Sequence, residues 1–157
     1  NLDIHIVEDG GNILDTGGGI LNMISHSDED DFIVFNPDTI WSNEYRDEII
    51  KMEEIYFAKK LESILLLVNK NLSFDQNLTG DFNLSNNLIS KKNNLDFIYT
   101  GCQILNKKIL MSQTINKFPI LNVWNKLMDE KKLYGFESKK KFYHLTNLNI
   151  FNKLKDL

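Results

Sequence analysis

Two groups of residues in this chain have types and spacing that could do chemistry. The first is Asp15-Thr16-Gly17-Gly18-Gly19 and the second is Asn36-Pro37-Asp38, which closes the apolar run at residues 32–35. Three glycines in a row let backbone come close to a flat or charged ligand, since no Cβ holds it off. A carboxylate at the end of a buried strand lies where open α/β sheets place their ligands. Together they suggest a nucleotide and a metal-bound phosphate in one crevice.

The elements that must position these residues can be read from hydrophobic periodicity. Leu2, Ile4 and Ile6 alternate with polar residues, the period of a half-buried strand. Ile20, Leu21, Met23 and Ile24 fit a short amphipathic helix. The glycines would then stand at its N-terminus, where free N–H groups favour an anion. Residues 32–35 and 64–68 are continuous apolar runs, as central parallel strands buried on both faces should be. A helix is expected over residues 43–60, with Asn43 as its N-cap, and another is opened by Pro119. Short strands are expected at 82–84, 88–89 and on either side of 138–140, a long one at 97–105, and a last helix from about Asn147. Strands alternating with helices indicate an α/β layer fold.

Composition narrows the class. At 157 residues the chain holds one domain. A net charge of −4 gives no electrostatic footprint for nucleic acid, and no apolar span or basic helix points to a membrane. Cys102 is the lone cysteine, so no internal disulfide forms and a reducing, cytoplasmic setting is expected. Heavy use of asparagine with little alanine reads as coding bias. A strand-like stretch beginning directly at Asn1 reads as the continuation of something larger.

Four segments in order, residues 13–20, Phe35-Asn36-Pro37-Asp38, Gly80-Asp81-Phe82 and Tyr99-Thr100-Gly101, resemble the sugar-1-phosphate nucleotidyltransferases. The likeness is greatest to the mannose-1-phosphate guanylyltransferase and N-acetylmuramate-1-phosphate uridylyltransferase subgroup, and it covers nearly the whole chain. The resemblance implies a three-layer α/β/α domain with a mixed central sheet, of the Rossmann-like glycosyltransferase-A type. Residues 1–157 would be its C-terminal two thirds, truncated at the N-terminus. It implies that Asp15, Thr16, Gly17, Gly18, Gly19 and Asn36 hold the nucleotide, and that Gly80, Asp81, Thr100 and Gly101 hold the sugar. Asp38 would bind Mg²⁺ as the catalytic residue.

In the family's C-terminal motif an Asp is the second metal ligand; here His144 falls on that position and Thr146 on a glycine. Imidazole suits Mg²⁺ less well than carboxylate. Pro37 is a further departure, standing where the family has a small residue. The family's glycine-rich loop with a basic residue, and its Pro-Lys-Pro segment, have no counterpart in the chain. The implied reaction joins a nucleoside triphosphate to a sugar-1-phosphate and releases pyrophosphate, a separate N-terminal chain completing the domain. The alternative is a non-catalytic remnant or binding subunit from a split gene.

From the residues alone other readings stay open. The glycines also fit a flexible turn, Asp38 a solvated carboxylate or helix cap, and Gly80-Asp81 a hairpin turn. Thr100 and Gly101 also fit a strand with an internal glycine, and His144 a partly buried structural histidine.

Overall fold

A computed structural model describes residues 3–92 and 95–155. Among these residues six strands form one mixed open sheet: β1 (Asp31–Phe35), β2 (Ser63–Asn69), β3 (Asn83–Ser85), β4 (Leu88–Ser90), β5 (Phe97–Asn106) and β6 (Tyr134–Ser138). Their spatial order is β1-β5-β2-β6-β4-β3. Only β2 and β6 run parallel; the other pairings are antiparallel. β3 and β4 form a hairpin whose turn residues, Asn86 and Asn87, both have positive φ. Asparagine tolerates that region, which the tight two-residue turn requires.

The described residues form four α-helices, α1 (Asp15–Ile24), α2 (Arg46–Ala58), α3 (Leu121–Asp129) and α4 (Leu148–Leu154), of which the first three pack on the sheet. β2 shows why there are three layers. Leu65 and Leu67 point to one face and pack with Ile20 and Ile24 of α1 and Val123, Trp124 and Leu127 of α3. Ile64 and Leu66 point to the other and pack with Met52 and Tyr56 of α2 and with Tyr45. α2 and its N-cap Tyr45 present this stripe at helical spacing (Tyr45, Ile49, Met52, Tyr56), and the helix ends at Ala58, two residues before the positive φ of Lys60. α4 starts at Asn147, whose side chain accepts a hydrogen bond from the Ile150 N–H at 3.0 Å.

Two expectations are corrected. Residues 32–35 form an antiparallel strand at the sheet edge, not a central parallel one. Phe32 and Val34 pack on the α1–α3 side, whereas Ile33 and Phe35 stay nearly half exposed. An apolar run specifies burial on at least one face and does not reveal which strands flank it. The second run, 64–68, is a buried strand as expected, and β5 and β6 flank it. The other correction concerns the N-terminal segment. Ile4 and Ile6 are exposed and residues 3–9 form no strand; Leu2 lies outside the described residues. Alternation supplies the right side chains for a strand but no neighbour to pair with. Among the described residues no helix is long and apolar enough to cross a membrane.

Candidate active-site cleft

The glycine loop does not stand ahead of α1; it lies inside the helix. A Cβ on Gly17 would come within 2.3 Å of the Phe118 ring, and one on Gly18 within 2.0 Å of the Asn116 carbonyl oxygen. These glycines are therefore buried where α1 presses on residues 116–118. Their N–H groups both donate to Phe118 O, at 2.9 and 3.2 Å. The Thr16 N–H donates to its neighbour Asp15 Oδ1 at 2.6 Å. The expected free N–H anion site is thus occupied by protein acceptors. Gly19 has only Asp9 Oδ1 nearby, at 3.9 Å.

Thr16 does reach a cleft. Its hydroxyl accepts from the Ile120 N–H at 3.1 Å, which docks the start of α1 on the start of α3. The cleft, of about 270 Å³, is lined by Thr16, Asn36, Asp81, Lys91, Tyr99, Gln103 and Trp124, with Phe82 and residues 119–121 completing its wall. Three residues expected from sequence (Thr16, Asn36 and Asp81) therefore share one cavity. Asp15, the glycines, Thr100 and Gly101 do not line it.

Those last two act from behind. Between Leu65 and Leu67 of β2 the pairing with β5 jumps from Gln103 to Tyr99, so Thr100, Gly101 and Cys102 answer one residue. Such a bulge re-aims the side chains beside it. Gly101 takes a φ of +91°, and a Cβ there would lie 2.8 Å from Asn36 Cβ. Its carbonyl accepts the Asn36 N–H at 2.7 Å. Thr100 is fully buried: its hydroxyl donates to Leu66 O at 2.9 Å, and its carbonyl accepts from Thr39 Oγ1 at 2.7 Å. The bulge thus fixes the 36–39 loop. Gly80 plays a similar part, lying close against Leu95 O, where a Cβ would come to 2.2 Å. Asp81 is then held by its N–H to Phe97 O and by Tyr99 N–H to its Oδ2, at 2.7 and 2.9 Å.

Electrostatics single out Asp81. It sits at the open rim, yet the mass of the cleft wall pushes its carboxyl pKa up, opposed by the Tyr99 N–H and by the charges of Lys91 and His144. Tyr99 packs edge-on against Trp124, with ring centres 4.9 Å apart. Its hydroxyl is buried, and burial raises its pKa well above the ordinary value, opposed by the Gln103 side chain. Gln103 Oε1 accepts from Trp124 Nε1 at 3.2 Å.

Asp38 and His144 meet beside this cleft. His144 Nε2 lies 3.3 Å from Asp38 Oδ2, the two side chains 26% and 48% exposed. A backbone ladder brings them together: Leu145 N–H to Asp38 O at 2.8 Å and Ile40 N–H to Tyr143 O at 2.9 Å. The segment bearing His144 is tied along its length. Glu48 of α2 accepts from Ser138 Oγ and from the Lys139 N–H, Tyr45 donates to Lys141 O, and Thr146 donates to Asp75 Oδ2 at 2.7 Å. Asp38 Oδ1 and His144 Nδ1 are buried without partners. A hard divalent ion commonly keeps one or two protein carboxylates beside substrate phosphates, and the half-exposed Asp38 carboxylate fits that use. Among the described residues no group of three His, Cys, Asp or Glu side chains gathers to hold a metal.

Sequence reasoning missed Lys91, Tyr99, Gln103 and Trp124. The bulge breaks the alternation of β5, so period-two reading could not tell which of its residues face the cleft. Trp124 carried a signal only as part of the apolar stripe of α3.

This arrangement defines a fold class. The chain has the fold of sugar-1-phosphate nucleotidyltransferases, an open mixed α/β sheet seen in solved structures of such enzymes. HddC from Yersinia pseudotuberculosis superposes with a TM-score of 0.67 at 24% identity, over 91% of this chain and 62% of that one. The inositol-1-phosphate CTP transferase of T. maritima gives 0.67 at 14% identity, over 91% and 60%. A UDP-glucose pyrophosphorylase solved with UDP-glucose gives 0.68 at 16%, over 92% and 62%. The chain thus spans about three fifths of the length of these proteins. No protein-family model matches it, and no curated protein does.

Proposed function

We propose that this chain forms the sugar-phosphate side of a nucleotidyltransferase that joins a nucleoside triphosphate to a sugar-1-phosphate, releasing pyrophosphate. The observation that carries the reading is the convergence of Thr16, Asn36, Asp81 and Tyr99 on one cleft, with Asp38 beside it. Support comes from solved neighbours: HddC has been captured with GMP-PN, and a UDP-glucose pyrophosphorylase with UDP-glucose.

In this reaction a phosphate oxygen of the sugar-1-phosphate attacks the α-phosphorus of the triphosphate, and pyrophosphate leaves. No protein nucleophile is needed, so positioning and charge stabilisation carry the rate. Asp81 accepts sugar hydroxyls at the rim, with Lys91 countering its charge. Thr16 and Asn36 face the nucleotide, and Trp124 with Tyr99 walls water from the cleft. Gly17 and Gly18 act through packing, by letting α1 bring Thr16 to the site. Asp38 holds a divalent cation, Mg²⁺ by the family resemblance, which when bound offsets charge on the phosphates.

The second reading is a binding subunit without turnover. It is the alternative that the cleft itself leaves open, since Thr16, Asn36 and Asp81 could hold a ligand whether or not turnover follows. One experiment separates the two: calorimetric titration with a panel of sugar-1-phosphates, alongside pyrophosphate release with each nucleoside triphosphate. Binding with release supports the enzyme, binding alone supports the subunit. If the chain binds no sugar phosphate, or binds it equally well as Asp81→Asn, both fall.

A further inference from the structure

We infer that the cation site beside the cleft takes a first-row transition ion such as Mn²⁺ or Co²⁺, held by Asp38 and His144 together, in preference to Mg²⁺. The inference rests on the reading of Asp38 as a cation ligand and adds His144 as the selector. It starts from donor chemistry. Mg²⁺ favours oxygen ligands in a tight octahedron, whereas imidazole suits the later divalent ions. Here a carboxylate and an imidazole meet where two carboxylates would suit Mg²⁺.

Geometry supports joint ligation. Transition ions bind imidazole nitrogen and carboxylate oxygen at about 2.0–2.2 Å. Two ligands at that distance, subtending an angle of roughly 100°, are about 3.3 Å apart. His144 Nε2 and Asp38 Oδ2 stand 3.3 Å apart, so an ion could replace the shared proton with little movement of either side chain. The ladder through Leu145, Tyr143 and Thr39 holds both residues at that spacing. Asp38 is half exposed, which leaves the remaining coordination positions to water and phosphate oxygens. One other pair, His5 and Asp3, shows the same 3.3 Å spacing. It is almost fully exposed and no ladder holds it, so it supplies the control.

The test titrates the whole chain with Co²⁺, Mn²⁺ and Mg²⁺ alone, reading Co²⁺ by its visible absorption and Mn²⁺ by electron paramagnetic resonance. Affinity should fall in the order Co²⁺, Mn²⁺, Mg²⁺. His144→Asn should weaken Co²⁺ by roughly tenfold or more while leaving Mg²⁺ within about twofold. His5→Asn should change nothing. Unchanged Co²⁺ affinity in His144→Asn overturns the inference, and so does a loss in His5→Asn of the same size. Asp38→Asn separates the two layers of the claim. If it leaves all three ions bound as before, the reading of Asp38 itself fails; if it weakens them while His144→Asn does not, only the role of His144 fails.

Discussion

Gly18 gives the sharpest test of how the glycine run works. A Cβ at this position would stand 2.0 Å from the Asn116 carbonyl oxygen, well inside any tolerable contact. The obstacle is backbone, so α1 must move away from residues 116–118. Overpacking of this kind costs about 1–3 kcal/mol. Moving the helix also weakens the donations from Gly17 and Gly18 to Phe118 O, each worth about 0.5–1.5 kcal/mol. Better helix propensity of alanine returns about 1 kcal/mol. Gly18→Ala should therefore lose about 2–3 kcal/mol, or roughly 4–12 °C in Tm for a chain of this size. Gly19→Ala is the matched control: its nearest neighbour is 3.9 Å away, so it should gain about 0.5–1 kcal/mol. Differential scanning calorimetry and urea unfolding would measure both. Equal stability for the two variants would refute the packing account and return the glycines to a ligand-facing role.

Other outcomes follow from named contacts. Asp38→Asn, in an active form of the protein, should abolish turnover while shifting the urea midpoint little, because the Asp38–His144 pair is partly exposed; undiminished pyrophosphate release would exclude the metal role. Glu48→Ala removes the acceptor for Ser138 Oγ and the Lys139 N–H and should cost about 1–3 kcal/mol by urea unfolding, with no loss if the segment is held elsewhere. The Thr146 hydroxyl, then the N–H of Asn77, hold the Asp75 carboxyl below its ordinary 3.8. A depressed carboxylate stabilises the fold above its unfolded pKa and loses that contribution as pH falls through the folded one. The urea midpoint of the native chain should thus drop, as pH falls below about 4, more than that of Asp75→Asn; parallel curves would contradict this.

Much of the scaffold was legible. The apolar runs at 64–68 and 97–105, and the stripes of α2 and α3, marked their elements because each buries a continuous face. Neighbours were not legible: nothing in Phe32-Ile33-Val34-Phe35 tells an edge strand from a central one, since side-chain type reports burial and not pairing. At the site, Thr16, Asn36 and Asp81 were found through resemblance, and their shared cleft appeared only in three dimensions. The glycines were expected at the N-terminus of α1 and lie in its first turns, but the N–H groups of Gly17 and Gly18 meet Phe118 O instead of standing free. A Cβ-free stretch permits close approach without saying whether a ligand or another loop does the approaching.

The crease in β5 has one more consequence. Asn36 and Thr39 hang from one side of it through Gly101 and Thr100, and Asp81 is clasped by Tyr99 from the other. The groups proposed to face the nucleotide and the sugar are therefore hinged to a single three-residue fold in the backbone. A natural variant that alters one half of the substrate preference by reshaping this stretch would disturb the other half as well. Divergence in this lineage should consequently arise in the segments that reach the cleft independently, the stretch at Lys91 and helix α3 at Trp124, sooner than in the strand itself.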